Sequence, residues 1–194
     1  MRLGILGGTF DPIHLGHLLL ARFSADFLAL DEILFMPAAV PPHKEVASVW
    51  ASPDDRWKMT ELALEGTADF TASLLEIERS GPSYTVETLY QLHHLRPHCS
   101  FYWIIGADNV APMHTWYQPH EILQLCTVVA GARTTFATEP GDDALEEQIV
   151  RLETPLIELS STQIRRRVQE GLSIRFMVPA PVEEYIHQKG LYRT

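Results

Sequence analysis

The residues best suited to chemistry form one continuous string, Gly7-Gly8-Thr9-Phe10-Asp11-Pro12-Ile13-His14-Leu15-Gly16-His17. Two glycines end an apolar run, and two histidines stand three positions apart where a helical pattern begins. Residues at that spacing share one helix face, so His14 and His17 can point at the same ligand. Glycines let backbone approach a phosphate closely, and a helix N-terminus offers free N–H donors and partial positive charge. Two imidazoles add donors for the charge that builds on a phosphoryl group during transfer. The string lacks the Lys-Ser/Thr ending of a P-loop and the three spaced glycines of a dinucleotide fingerprint. The plainer alternative is that His14 caps the helix and His17 packs against a sheet.

A second group, Leu159-Ser160-Ser161-Thr162-Gln163-Ile164-Arg165, falls where a strand over Leu156–Leu159 is expected to meet a helix over Ser161–Glu170. Hydroxyls at a helix start can bond phosphate oxygens, and Arg165 supplies a planar fork matched to phosphate. A Ser/Thr cap followed by a solvated basic face, Arg165-Arg166-Arg167, would look the same. Between the two groups, Pro41-Pro42-His43-Lys44 reads as a stiffened loop presenting a movable charge on Lys44. Gly106-Ala107-Asp108-Asn109 follows a central apolar run, the place where open α/β sheets bind ligands. Asp108 there can accept hydrogen bonds from ribose hydroxyls.

These groups need a frame. Short apolar runs alternate with longer amphipathic ones, the pattern of an α/β fold with a mainly parallel sheet and helices on both faces. Strands are expected at Arg2–Gly7, Glu32–Met36, Phe70–Ile77, Phe101–Ile105, Thr127–Ala130 and Leu156–Leu159. Helices are expected at Leu15–Leu30, Asp54–Leu64, Ser83–Leu95 (with Ser83 as its cap), Ser161–Glu170 and Pro181–Gln188. The last two form a small helical C-terminal part. Thr134 to Asp143 reads as an exposed loop, and no repeat or linker divides the 194 residues, so one domain is expected.

The formal net charge of -10 excludes a general attraction for nucleic acid or an anionic membrane surface, so any phosphate site is a local basic cluster. Cys99 and Cys126 sit in apolar runs and read as free thiols. Neither a signal peptide nor a run of about 20 apolar residues is apparent, which implies a cytoplasmic protein. The composition leaves oligomerisation open.

The string GGTFDPIHLGH resembles the signature of the H-x-G-H nucleotidyltransferases, and most closely that of the bacterial nicotinate-nucleotide adenylyltransferases. H-x-G-H alone also suits pantetheine-phosphate adenylyltransferases and class I aminoacyl-tRNA synthetases. Ser160 to Arg165 is similar to the family's I-S-S-T-x-I-R motif, with Leu159 in place of Ile. Glu78-Arg79-Ser80-Gly81-Pro82-Ser83-Tyr84-Thr85 is similar to its E-x-x-R-x-G-x-S-Y-T stretch with a shortened spacing. Gly106 to Asp108 followed by Trp116-Tyr117 resembles its G-x-D and W-Y pair. Gly171 to Phe176, Val178-Pro179 and Leu191-Tyr192 also fit, so the likeness covers nearly the whole chain. Where the family carries an Arg-Pro-Gly turn this chain has Gly131-Ala132-Arg133-Thr134, which leaves the role of Arg133 open.

The resemblance implies a Rossmann-like fold and transfer of AMP from ATP to nicotinic acid mononucleotide, with release of pyrophosphate. It implies that His14, His17 and Arg165 are catalytic, and that Gly7, Gly8, Thr9, Phe10, Gly106, Asp108, Ser161 and Thr162 bind ATP. On the acceptor side it implies Lys44 at the mononucleotide phosphate, Thr85 and Tyr117 at the nicotinate carboxylate, and Trp116 against the pyridine ring. Mg²⁺ would be held mainly through the ATP phosphates rather than by a protein cage. An enzyme using nicotinamide mononucleotide, or a nucleotide-binding regulatory domain without turnover, is the alternative. A tRNA synthetase is disfavoured by a short, acidic chain with no anticodon-binding region.

Overall fold

In the computed structural model the apolar runs become parallel strands. Residues 1–41, 49–132, 143–155 and 157–193 are described. The strands are β1 (Arg2–Gly8), β2 (Glu32–Pro37), β3 (Phe70–Ala72), β4 (Ser100–Gly106), β5 (Thr127–Ala132) and β6 (Val150–Glu153). They pair in the order β3-β2-β1-β4-β5-β6, and every pairing among the described residues is parallel. Successive residues of each central strand point to opposite faces, and both faces are covered, so the runs are apolar throughout instead of alternating.

On one face Leu6, Ile33, Phe35 and Ile104 meet residues of four helices. These are α1 (Leu15–Leu28), α2 (Pro53–Leu64), α6 (Ser161–Gln169) and α7 (Ala180–Lys189). On the other face Ile5, Leu34, Trp103 and Val128 pack under α3 (Thr85–Leu95) and α4 (Pro119–Leu125). A short helix, α5 (Asp143–Glu146), precedes β6. The helices on both faces and the helical pair α6 and α7 agree with the expected Rossmann-like architecture. No described helix is long and apolar enough to cross a membrane.

Three expectations are corrected. Residues 157–159 form no strand, and Leu156 lies outside the described residues; the last strand among the described residues is Val150–Glu153. It is an edge strand with Leu152 buried and Arg151 exposed, and Pro155 follows it closely. The strand expected at Phe70–Ile77 stops at Ala72, because Ser73 makes the last bond to Phe35 and the chain then turns, with Glu78 N–H on the Leu74 carbonyl. Ser83 does not cap α3; Tyr84 holds that position, and the Ser83 hydroxyl accepts the Ala39 N–H instead. No expected element corresponds to α4, which starts at Pro119 after Gln118 in the left-handed region (φ 54°). Cys99 and Cys126 are free.

The strand order reverses between β1 and β4. Their carboxyl ends, Gly7-Gly8 and Gly106, therefore open side by side onto a crevice, the standard ligand position in a doubly wound sheet.

Candidate active site

That crevice is a cleft of about 630 Å³, within the usual range for small-molecule sites. Its floor is Gly7, Gly8 and Thr9 from the end of β1, and one wall is His14, Gly16 and His17 from the start of α1. Ser161, Thr162 and Arg165 of α6 form the facing wall, so residues about 150 apart in the chain meet there. Gly106 and Asp108 lie beyond β4, and Thr85, Trp116 and Tyr117 close the far end. Phe10, in contrast, is 2% exposed and is not among the lining side chains. Its ring packs edge-on against His17 (5.0 Å between centroids) and supports the site from below. Lys44 and Arg133 lie outside the described residues.

His14 sits at the N-cap of α1 with extended backbone (φ -146°, ψ 170°). Its imidazole stacks on that of His17, with centroids 3.6 Å apart and planes within 20°. Burial lowers the His14 pKa to about 4, so the ring is neutral at pH 7. Its Nδ1 is buried with no hydrogen-bond partner among the described residues. The His14 backbone N–H donates to Nδ1 of His17 at 3.2 Å. An accepting Nδ1 places the proton of a neutral His17 ring on Nε2, which makes that nitrogen a donor. Gly16 has a concrete reason to be glycine, because a Cβ there would stand 3.0 Å from His14 Nδ1 and 3.1 Å from its Cε1.

The start of α6 is fastened to the loop between β1 and α1. Ser160 caps the helix, accepting from Gln163 N–H, while the Gln163 side chain accepts from Ser160 N–H. Ser161 Oγ donates to the Pro12 carbonyl at 2.9 Å. Arg165 Nη1 donates to the Asp11 carbonyl at 2.7 Å, and Nη2 lies 3.3 Å from Thr162 Oγ1. With its side chain 14% exposed, Arg165 retains further N–H groups in the fork for an anion. Arg166, by contrast, pairs with Glu170 at the surface.

At the far end, Thr85 is the first residue of α3, so the amides of that first turn have no partner within the helix. The Tyr84 and Tyr117 rings are tilted together with centroids 4.9 Å apart. Trp116 is half-buried and shares its contacts between the cleft and the core under α4. Asp108 is exposed and folds back toward Gly106, where a Cβ would approach its Oδ1 to 2.5 Å. Among the described residues, no three or more His, Cys, Asp or Glu side chains are grouped to hold a metal ion.

The sequence reading missed Glu76. It lines the cleft yet is only 4% exposed, and Thr88 donates to its Oε1 at 2.7 Å. Burial raises its pKa to about 7 against the opposing bonds from Thr88 and Ser83 and the charge of Arg79. Counting from Glu76 instead of Glu78, the E-x-x-R-x-G-x-S-Y-T spacing runs to Thr85 without any shortening. A buried carboxylate cannot be told from a solvated one in a single sequence, but the intact spacing to Arg79 was a usable signal.

Residues 5–167 match the family model described as cytidylyltransferase-like. A protein of Thermus thermophilus named "Probable nicotinate-nucleotide adenylyltransferase" is 44% identical over 100% of both chains. Another of that name, from Geobacillus thermodenitrificans, is 43% identical over 98% of this chain and 86% of its own length. The fold is similar to that of Plasmodium falciparum nicotinic acid mononucleotide adenylyltransferase complexed with APC, with a TM-score of 0.79 and 17% identity over 98% of this chain and 96% of that one. The same enzyme complexed with NaAD gives a TM-score of 0.77 at 18% identity, covering 98% of this chain and 97% of that one.

Proposed function

The chain belongs to the cytidylyltransferase-like family and, within it, to the nicotinate-nucleotide adenylyltransferases, and from that premise we propose how its cleft transfers the adenylyl group of ATP to nicotinic acid mononucleotide. The products are nicotinic acid adenine dinucleotide and pyrophosphate, a step of pyridine nucleotide biosynthesis. A phosphate oxygen of the mononucleotide attacks the α-phosphorus in line. The new O–P bond forms as the bond to the β-phosphate bridging oxygen breaks, and its electron pair leaves with pyrophosphate. The attacking oxygen is already ionised at neutral pH, so no side chain has to remove a proton. Catalysis is then positioning plus stabilisation of charge.

His17 Nε2–H and the neutral His14 ring serve the α-phosphate oxygens, and Arg165 serves the departing pyrophosphate. Gly7, Gly8 and Thr9 bring backbone close to the nucleotide, Phe10 acts beneath them, and Ser161 and Thr162 add hydroxyls. Gly106 leaves room for Asp108 to meet ribose hydroxyls. On the acceptor side, Lys44 meets the mononucleotide phosphate, Trp116 faces the pyridine ring, and the Thr85 and Tyr117 amides read the carboxylate. A helix N-terminus suits that anion without a cationic side chain. Nucleotidyl transfer uses a divalent cation on the nucleotide phosphates. We take it as Mg²⁺, which would be held mainly by phosphate oxygens and water, since the described residues group no three His, Cys, Asp or Glu side chains as a cage; it would neutralise polyphosphate charge. Residues from both ends of the sequence build one site, which supports reading 1–194 as one domain.

The observation that carries this reading is the convergence of the H-x-G-H start of α1, the Ser161–Arg165 turn of α6 and the open end of α3 on one cleft. His17→Ala tests it. Removing a donor that strengthens in the transition state should lower kcat about 100-fold or more while ATP affinity changes less than threefold. Near-full turnover in that variant would remove His17 from the mechanism.

A further inference from the structure

Asp11, in the middle of the phosphate string, is 2% exposed and does not line the cleft. It ties several parts of the site together. Its Oδ2 accepts from the Trp50 N–H at 2.8 Å and its Oδ1 from the Ala51 N–H at 3.1 Å. Its backbone carbonyl takes the 2.7 Å bond from Arg165, whose Nη1 also lies 3.8 Å from Oδ2. One further donor reaches it from 181 residues away, the Tyr192 hydroxyl, at 2.7 Å from Oδ1.

Tyr192 follows the end of α7 and is 5% exposed, with its hydroxyl 3.9 Å from Met59 Sδ. It holds φ at 64°, a region that β-carbon-bearing residues enter only at a cost, so its surroundings dictate this conformation. Burial and the Asp11 charge both push its hydroxyl pKa upward, which keeps it a protonated donor. Its bond to Asp11 is charge-assisted and shielded from water, the strong kind.

We propose that Tyr192 is a positioning residue for adenylyl transfer: by fixing Asp11 it holds the loop from Thr9 to His14 and, through the Asp11 carbonyl, the guanidinium of Arg165. Tyr192 touches no reacting atom. Its effect therefore falls on turnover through geometry, and not on recognition of the mononucleotide at the far end of the cleft. The inference rests on the functional reading above for Arg165 and the histidines, and it can be tested apart from it.

The test is Tyr192→Phe in the full chain, which keeps the ring in the core and removes one hydroxyl. The first readout needs no substrate: backbone hydrogen exchange of the segment from Thr9 to His17. It should speed up several-fold in the variant, while the strands of the central sheet exchange as before. The second is steady-state kinetics with ATP, Mg²⁺ and nicotinic acid mononucleotide. There kcat should fall about tenfold, with the mononucleotide KM within twofold of wild type. Combined with Arg165→Ala, the variant should cost much less than the product of the two single losses, since both act on one arrangement. Unchanged exchange, a kcat within twofold of wild type, or simple multiplication of the two losses would overturn the proposal. If wild type released no pyrophosphate, the functional reading would fall, and the exchange result alone would decide whether Tyr192 fastens the loop.

Discussion

Gly16→Ala separates stability from catalysis at a single methyl group. In most helix positions this change stabilises, by up to about 1 kcal/mol, because alanine loses less backbone entropy on folding. Here the added Cβ would lie 3.0 Å from His14 Nδ1 and 3.1 Å from Cε1, against a comfortable separation of about 3.5 Å or more. The His14 ring must retreat by about 0.5 Å. It has little freedom to do so, being 6% exposed and stacked on His17 at 3.6 Å. A misplacement of about 1 Å in a reacting arrangement can cost roughly 100-fold. Half of that corresponds to about tenfold in kcat, or about 1.4 kcal/mol of barrier. We expect a variant whose thermal midpoint stays within a few degrees of wild type but whose kcat is about tenfold lower. Thermal unfolding and pyrophosphate-release kinetics on the same preparation give both numbers. A wild-type kcat in a fully folded variant would show that the position of the His14 ring is not what the glycine protects, and the stacked-imidazole geometry would lose its catalytic meaning.

Glu76→Gln should change how stability depends on pH. The folded carboxyl titrates at about 7 instead of 4.5, so between those values the folded state holds a proton that the unfolded state has released. Wild-type stability therefore falls as pH rises through this window, by about 3 kcal/mol if the whole shift is expressed. Urea unfolding at pH 4.5 and pH 8 should show the variant gaining on wild type by that order, and parallel curves would contradict the buried acid. Arg56 is fully buried and donates to the carbonyls of Thr9, Ala38 and Ala39. Arg56→Met should leave these acceptors unpaired and cost about 4 kcal/mol in denaturant unfolding; a loss below about 1 kcal/mol would show the guanidinium to be dispensable. The Cys126 thiol is pushed up to about 12 by burial, so a thiol-reactive probe at pH 8 should label Cys99 and spare Cys126 in the native protein.

Much of this was legible because the residues involved signal through spacing. The apolar runs that became β1, β2, β4 and β5 are bounded by glycines, prolines or polar turns, and strands buried on both faces leave little ambiguity. His14, Gly16 and His17 are legible as a motif, although the reason for the glycine appears only once the His14 ring is seen lying across it. Edge elements were harder to read. Val150–Glu153 has the composition of a solvated segment because one of its faces is solvated, and its alternation is too short to stand out in the sequence. The buried polar residues were the least legible. Asp11, Arg56 and Tyr192 gain their roles from partners far away in the chain, of which a single sequence carries no trace, whereas Glu76 has local partners and only its spacing to Arg79 could be read. Phe10 shows the opposite limit, since it sits within the motif but turns its ring into the core.

The identity of the acceptor that takes the adenylyl group separates this reading from its alternatives. Pyrophosphate release with ATP and Mg²⁺ should be measured with nicotinic acid mononucleotide, nicotinamide mononucleotide and phosphopantetheine as separate acceptors. The kcat/KM for the nicotinic acid form should be at least about 100-fold above the other two, because only that acceptor presents a carboxylate to the open end of α3. Equal use of the amide would contradict the assignment of Thr85 and Tyr117, and no release with any of the three would contradict the transferase reading itself.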